Sequence, residues 1–258
     1  MNNENPKYEY NCILFDLDDT LYPLSSGIAS AVAKNIQDYM SSKLGIDDSK
    51  IPELSYVLYK TYGTTLAGLK AIGYDIDYDA YHSFVHGSLP YENLKPDPVL
   101  RNILLSLPYR KFIFTNGDKI HATEVLNRLG LEDCFKGVIC FETLNPSPTE
   151  SSSDVRDEST NIFDILQYFA DPIPGVELPK TPISCKPSEV SFMDALKIAD
   201  AHPHQTIFID DSVRNIQAGK NIGLHTVLVG TSEKIKGADY SLESIGNIRE
   251  TLPGLFMG

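Results

Sequence analysis

Two aspartates separated by one residue follow a short apolar run near the start of the chain. Cys12–Phe15 reads CILF, and Asp16, Leu17 and Asp18 come directly after it. Residues i and i+2 of an extended segment lie on the same face, so the two carboxylates converge on one point. Such a pair can divide nucleophilic attack and proton transfer between its members. The alternative is an acidic pair that only caps the following turn.

A second acidic pair, Asp210-Asp211, follows the apolar run TIFI at residues 206–209. Burying these acids beside Asp16 and Asp18 is costly unless a cation compensates their charge. Oxygen ligands with no His or Cys nearby favour Mg²⁺. Asn215, four residues beyond Asp211, is expected to hydrogen-bond to it. A helix N-cap is the alternative for Asp211, and it leaves Asp210 unexplained.

Polar groups suited to an anion occur at two further places. Thr115-Asn116-Gly117 follows the apolar run KFIF and offers a hydroxyl, an amide and backbone N–H groups at a strand-to-helix turn. Lys186 precedes Pro187 at the start of a predicted helix, where it can neutralise charge beside several carboxylates and a phosphate. The alternatives are a common turn for the first group and a solvated surface charge for Lys186.

These groups need a scaffold that brings them together, and the hydrophobic pattern predicts one. Short apolar runs alternate with amphipathic segments, which indicates an α/β fold with a doubly wound parallel sheet. Ligands bind beyond the carboxyl ends of the strands in such sheets, where the polar residues described above lie. The predicted strands cover residues 12–15, 111–114, 137–141, 206–209 and 225–229. The helices predicted between the later strands cover residues 119–129, 188–199 and 213–222.

Two long segments interrupt this alternation. The first, residues 22–95, is predicted to be helical, with helices at 28–44, 57–72 and 78–85, and is too long for a simple crossover. We interpret it as a helical cap inserted into a core made of residues 1–21 and 96–258. The second, residues 145–181, is an insertion within the core. Its Ser-, Thr- and Pro-rich part at 146–160 is predicted to be a mobile loop, and 162–169 a docked helix.

Composition narrows the classes of protein and partner. The net charge is −13, with 22 basic and 35 acidic residues, which argues against a nucleic-acid binder. No apolar run approaches the length of about 18 residues that spans a bilayer. The polar N-terminus shows no signal or transit peptide, so we expect a cytoplasmic protein that does not bind membranes. The four cysteines form no CxxC pair and are expected to be buried thiols.

Taken together, the motifs DLDDT, TNG, KP and DD, in that order, resemble the four-motif pattern of the haloacid dehalogenase (HAD) superfamily. The resemblance extends from Cys12 to about Leu252 and implies a HAD-like Rossmannoid core with an inserted cap. It implies that Asp16 is the nucleophile that forms an aspartyl-phosphate and that Asp18 is the general acid and base. Thr115 and Lys186 would hold the phosphoryl oxygens, together with Asn116.

The same resemblance implies a Mg²⁺ cofactor. Its ligands would be Asp16, the backbone carbonyl of Asp18, and Asp211, with Asp210 in support. A hydrolytic dehalogenase uses the same nucleophile without a metal, and Asp18 together with the acidic pair at 210–211 argues against that alternative.

Three further segments resemble one branch of the superfamily: LYP at 21–23, YGTTLAGL at 62–69 and FIDDSVRN at 208–215. That branch contains fungal pyrimidine 5′-nucleotidases and plant xanthosine-monophosphate phosphatases. The resemblance implies hydrolysis of a nucleoside 5′-monophosphate, with XMP favoured because the insertion at 145–181 looks like a plant feature, and UMP or CMP second.

Cap residues are expected to contact the base or ribose, and the candidates are Tyr62, Thr64, Thr65 and His86. His121 has no ligand-like spacing in the sequence and receives no role. The alternatives to a nucleotidase are a sugar-phosphate phosphatase or phosphomutase and, in another class, a non-enzymatic interaction protein that uses the acidic Ser-rich loop.

Overall fold

A parallel β-sheet with helices on both faces forms the centre of the molecule in the computed structural model, which describes residues 10–146 and 162–256. Within those residues six strands pair in the order β3-β2-β1-β4-β5-β6, and every pairing is parallel. The strands are β1 Cys12–Phe15, β2 Arg110–Phe114, β3 Gly137–Ile139, β4 Thr206–Asp210, β5 His225–Val229 and β6 Tyr240–Leu242. The predicted α/β fold class is therefore confirmed.

Among the described residues, single helices follow β2 and β4, whereas groups of helices lie between β1 and β2 and between β3 and β4, and β5 leads to β6 without an α-helix. The helices are α1 Ile28–Ser42, α2 Ile51–Tyr62, α3 Thr65–Ala71, α4 Tyr78–His86, α5 Pro98–Ser106, α6 Lys119–Leu129, α7 Phe141–Leu144, α8 Ile165–Ala170, α9 Glu189–Ile198, α10 Val213–Asn221 and α11 Ile248–Thr251. None of these helices is long and apolar enough to cross a membrane.

Strand β1 shows how the sequence builds the core. All four of its residues are buried, as expected for a central parallel strand that is covered on both faces. Ile13 and Phe15 pack in one hydrophobic cluster with α5 and α6, whereas Cys12 and Leu14 pack in a second cluster with α9 and α10. The two-residue period of the strand thus divides one apolar run between two cores.

The segment at 22–95, called the cap segment below, contains α1 to α4. It supplies most of an apolar cluster around Met40, Leu58 and Leu69, to which Phe141 and Ile165 also belong. The predicted single helix at 57–72 is wrong, because α2 ends at Tyr62 and α3 begins at Thr65. Gly63 has a φ of +94° and caps α2, and the Thr64 side chain accepts a hydrogen bond from Ala67 N to begin α3. The boundary between cap and core remains a prediction.

The insertion in the core reaches back to the cap segment. α8 covers part of the predicted helix at 162–169, and Phe163 N donates to Ile72 O. Thr181 Oγ1 donates to Ala67 O at 2.7 Å, so the end of the insertion is also tied to α3. The predicted mobile loop lies, from residue 147 onward, outside the described residues.

Gly63 of the cap segment lies directly against the loop that carries Lys186. A Cβ added at Gly63 would lie 2.4 Å from Lys186 O and 2.9 Å from Pro187 Cδ. We therefore expect Gly63→Ala to lower the free energy of unfolding by about 2–5 kcal/mol, from backbone strain and overpacking together. The matched control is Gly45→Ala, with a φ of +65° and open space around it, for which strain alone predicts a loss of about 1–2 kcal/mol. Equal losses in urea unfolding would contradict this assignment.

Candidate active site

A fully buried lysine lies at the centre of the site. Lys186 Nζ is 2.7 Å from Asp16 Oδ1 and 2.7 Å from Asp210 Oδ2, and the lysine side chain is 1% exposed. The ammonium also lies 5.0 Å from the ring centre of Phe114 and 5.5 Å from that of Phe208. Two carboxylates and two aromatic faces thus surround one positive charge, which suits a desolvated cation.

The sheet order explains why these groups meet. β1 lies between β2 and β4, so Asp16, Thr115 and Asp210 are brought to the same edge at the ends of three neighbouring strands. Asp16 N donates to Ile209 O at 2.8 Å, which fixes the chain where it leaves β1. The predicted convergence of the polar residues at the carboxyl edge therefore agrees with the structure.

Asn116 holds the backbone of Lys186. Its Nδ2 donates to Lys186 O at 3.0 Å, and its Oδ1 accepts from Lys186 N at 2.8 Å. The amide side chain predicted to bind phosphate is thus already hydrogen-bonded, and these two bonds orient the backbone of the lysine. Thr115 is buried, and its Oγ1 accepts from Gly117 N at 3.0 Å.

The acidic groups of the site and its single lysine shift one another's pKa values. Burial alone would lower the pKa of Lys186, but Asp16 and Asp210 raise it above its ordinary value. Burial raises the pKa of Asp16, against the opposing effect of Lys186, and the neighbouring acids raise it further. Burial and Asp210 likewise raise the pKa of Asp211 to about 7. The carboxylates therefore outnumber the positive charges available to them.

That excess of negative charge fits a divalent cation. Asp16, Asp210 and Asp211 each offer a carboxylate oxygen, and these oxygens lie within 4.8 Å of one another. An all-oxygen donor set suits Mg²⁺. The carboxylate of Asp18 does not belong to this group. That the backbone carbonyl of Asp18 binds the metal remains a prediction. Asn215 does not pair with Asp211 as predicted; its Nδ2 donates to both oxygens of Asp210, at 3.1 Å each.

Asp18 has two partners that sequence reasoning missed. His121 Nε2 lies 2.8 Å from Asp18 Oδ1, and Tyr22 Oη donates to the same oxygen at 2.5 Å. Burial alone would raise the pKa of Asp18, but the charge and hydrogen bond of His121 and the hydrogen bond of Tyr22 lower it to about 2. Only Tyr22 could have been suggested as a partner from the sequence, because it lies four residues after Asp18. Tyr91 Oη in turn lies 2.8 Å from His121 Nδ1.

The four cap residues predicted to contact substrate have different environments. Thr64 and Thr65 line a cavity that also reaches Asp18, and so does His86. Tyr62 is absent from that lining, and its hydroxyl donates to Pro179 O at 2.9 Å. The structure therefore uses Tyr62 to join α2 to the insertion. A role in substrate binding for the other three stays a prediction.

The cavity measures 530 Å³ and lies between the cap segment and the carboxyl edge of the sheet. Asp18, Asn116 and Gly117 form its floor on the core side. Its walls are mostly apolar, with a few polar groups, and the apolar lining includes Ile28, Val32, Ile36, Leu66, Val85 and Phe141. A volume of this size accommodates a small organic ligand.

A family model described as haloacid dehalogenase-like hydrolase matches residues 10–154, and a second, described as HAD-hydrolase-like, matches residues 184–244. The chain belongs to the haloacid dehalogenase-like hydrolase family. It is 33% identical, over 132 residues, to Phosphate metabolism protein 8 of Saccharomyces cerevisiae. That match covers 48% of this chain and 41% of the yeast protein, so it spans less than half of that relative's length.

Solved structures share the fold across nearly the whole chain. A HAD phosphatase from Thermococcus onnurineus aligns with a TM-score of 0.52 at 18% identity, covering 93% of this chain and 96% of that one. L-2-haloacid dehalogenase from Xanthobacter autotrophicus aligns with a TM-score of 0.52 at 14% identity, covering 95% and 99%. At these identities the likeness concerns the fold alone.

The buried lysine at the centre of the site is expected to stabilise the fold. Lys186→Met leaves Asp16 and Asp210 buried without their counter-charge, and we expect it to lower the free energy of unfolding by about 3–5 kcal/mol. The measurement is urea unfolding with a chelator present, so that no added cation compensates. Lys220→Met is the matched control, because it breaks a partly exposed pair with Asp239 and should cost under about 1 kcal/mol. A similar loss in both variants would refute the prediction.

Proposed function

We propose that this hydrolase is a Mg²⁺-dependent phosphatase that releases phosphate from a nucleoside 5′-monophosphate. XMP is the favoured substrate, followed by UMP and CMP. The partner implied is a small phosphomonoester rather than a nucleic acid or a membrane. The observation that carries the proposal is the 530 Å³ cavity, which joins Asp18 at the reactive edge to the apolar walls of the cap segment.

The proposed reaction has two steps. A carboxylate oxygen of Asp16 attacks phosphorus, the bond to the ester oxygen breaks, and Asp18 gives its proton to the departing alkoxide. In the second step Asp18 takes a proton from water, whose oxygen attacks the phosphorus of the aspartyl-phosphate. Asp16 is thereby regenerated and inorganic phosphate is released.

Other groups of the site support these steps. Lys186, fixed 2.7 Å from Asp16, is placed to attract the phosphoryl oxygens and to hold the Asp16 carboxylate in position. Asp16, Asp210 and Asp211 would hold the metal, which would supply positive charge against the phosphate. His121 and Tyr22 orient Asp18 through Oδ1, which leaves Oδ2 available for proton transfer.

The character of the cavity favours a nucleotide over a sugar phosphate. A sugar carries a hydroxyl on most of its carbons, and each buried hydroxyl left without a partner costs about 1–3 kcal/mol. The faces of a base can instead lie against Val32, Leu66 and Phe141, while its edges meet the few polar groups of the walls. Thr64, Thr65 and His86 belong to those groups. The phosphatase from Thermococcus with the same fold, and the yeast relative named for phosphate metabolism, are consistent with a phosphate ester.

A turnover panel tests the substrate. We expect kcat/KM to be highest for XMP among XMP, GMP, UMP, CMP, AMP and a set of sugar phosphates, because donors in the cap can pair with base carbonyls. All activity should disappear after exhaustive chelation and return with Mg²⁺. A sugar phosphate leading by tenfold or more would overturn the nucleotide assignment, and UMP leading would overturn only the choice of base.

The control for this panel is Asp16→Asn, which removes the proposed nucleophile at nearly constant shape. It should reduce turnover of every substrate, including a small aryl phosphate, to below about a hundredth of wild type. Asp48→Asn, at an exposed position of the cap segment, should leave turnover unchanged. Substantial activity in Asp16→Asn would exclude covalent catalysis by this residue.

His121 is expected to act on the reaction by positioning Asp18. His121→Asn should lower kcat for an aryl phosphate by about tenfold to a hundredfold with little change in KM, since a displaced catalytic group costs on that order. In the background of Asp18→Asn, the same change should cost almost nothing more. His204→Asn, at an exposed histidine, is the control. Additive losses in the double variant would show that His121 does not work through Asp18.

A further inference from the structure

Three histidines and an aspartate form a polar cluster where the cap segment meets the core, and His121 joins this cluster to Asp18. His82 and His86 lie one turn apart on α4, and their rings stack with centres 5.6 Å apart. His86 Nδ1 lies 2.5 Å from Asp118 Oδ1, and His82 Nδ1 lies 3.8 Å from the same oxygen. His121 stacks on the other side of His86, with centres 4.5 Å apart.

His82 is the unexplained member of this cluster. The residue is 8% exposed, and neither of its ring nitrogens has a hydrogen-bond partner in the described structure. A buried polar atom without a partner costs about 1–3 kcal/mol. Burial is the main cause that lowers the pKa of His82 to about 4, so its ring is neutral at neutral pH. A neutral imidazole is the form that binds metal ions.

Asp118 is already oriented as a ligand would be. It is the N-cap of α6, and its Oδ2 accepts hydrogen bonds from Ile120 N at 3.0 Å and His121 N at 3.3 Å. Oδ1 is thereby directed towards His82 and His86. Backbone hydrogen bonds that fix a carboxylate in this way are typical of the groups supporting metal ligands.

We propose that His82, His86 and Asp118 form a binding site for a zinc-like transition-metal ion that joins the cap segment to the core. One nitrogen from each imidazole and one carboxylate oxygen lie within 4.8 Å of one another. Ligand atoms around tetrahedral zinc, each bound at about 2.0–2.1 Å, are about 3.4 Å apart, so a small side-chain adjustment is needed. The ion would replace the hydrogen bond between His86 and Asp118.

Donor chemistry separates this site from the carboxylate set at Asp16. Imidazole with one carboxylate suits zinc and its neighbours, whereas an all-oxygen set suits Mg²⁺. His82 and His86 line the cavity between cap and core, which gives the ion a path inward and leaves a further position open to water. The inference concerns binding alone, so it does not depend on the proposed function.

Zinc binding can be measured directly. The full chain is stripped with a chelator and then titrated with Zn²⁺ against a chromophoric chelator, in excess Mg²⁺ to occupy the carboxylate set. We expect one equivalent of Zn²⁺ for the wild type and a rise in Tm on binding. The apparent affinity should fall at least tenfold in His82→Phe, in His86→Gln and in Asp118→Asn. The last variant retains a good N-cap, so it guards against a loss caused by misfolding.

Two controls locate the ion. Asp16→Asn should still bind one equivalent, because it alters only the carboxylate set, and His202→Gln should bind as the wild type does, because it removes an exposed imidazole. Co²⁺ added in place of Zn²⁺ should show visible d–d absorption without a thiolate charge-transfer band. No tight binding to the wild type, binding that survives His82→Phe and His86→Gln, or a thiolate band would each overturn the proposal.

Discussion

The buried ion triad of Lys186, Asp16 and Asp210 is the interaction on which the rest of the site depends. Each of these charges would be very costly to bury alone, and they are tolerated because the ammonium lies 2.7 Å from both carboxylates. Asp16 and Asp210 come from the ends of neighbouring strands, so their separation is set by the sheet and not by side-chain freedom. Asn116 fixes the backbone of the lysine through two hydrogen bonds, which helps to hold its ammonium between both carboxylates.

The loop that carries Lys186 also contacts the cap segment. Gly63 approaches Lys186 O so closely that no side chain fits between them, and Arg214, one turn beyond Asp210, donates to the carbonyls of Tyr59 and Lys60 at the end of α2. The end of α2 therefore contacts both the loop of Lys186 and the helix that follows Asp210. A shift of α2 would therefore move the loop of Lys186. The position of the cap segment would in this way change the distances between the lysine and the two carboxylates.

The features that could be predicted from the sequence are those that depend on a local pattern of residues. Five of the six strands among the described residues follow from short apolar runs, whereas β6 lies at the edge of the sheet and reads YSL, with only Leu242 buried, so it presents no apolar run. The break at Gly63 was missed because apolar residues continue at helical spacing through it. The partners of Asp18 and Asp210 could not be predicted, since His121 and Asn215 reach them across turns whose geometry depends on the packing of α6 and α10. The hydrogen bond from Tyr62 to Pro179 joins residues 117 positions apart, so the sequence beside Gly63 gives no sign of it.

Asp16 and Asp18 are two residues apart, and their surroundings move their pKa values in opposite directions. Burial and neighbouring acids raise the pKa of Asp16, whereas His121 and Tyr22 lower that of Asp18 to about 2. The proposed roles use an ionised nucleophile and a protonated general acid, so each of these pKa shifts opposes the role proposed for its residue. Positive charge beside Asp16 favours its ionised form, and the negative charge of a phosphate beside Asp18 favours its protonated form. The proposed ligands of the site would therefore oppose both pKa shifts.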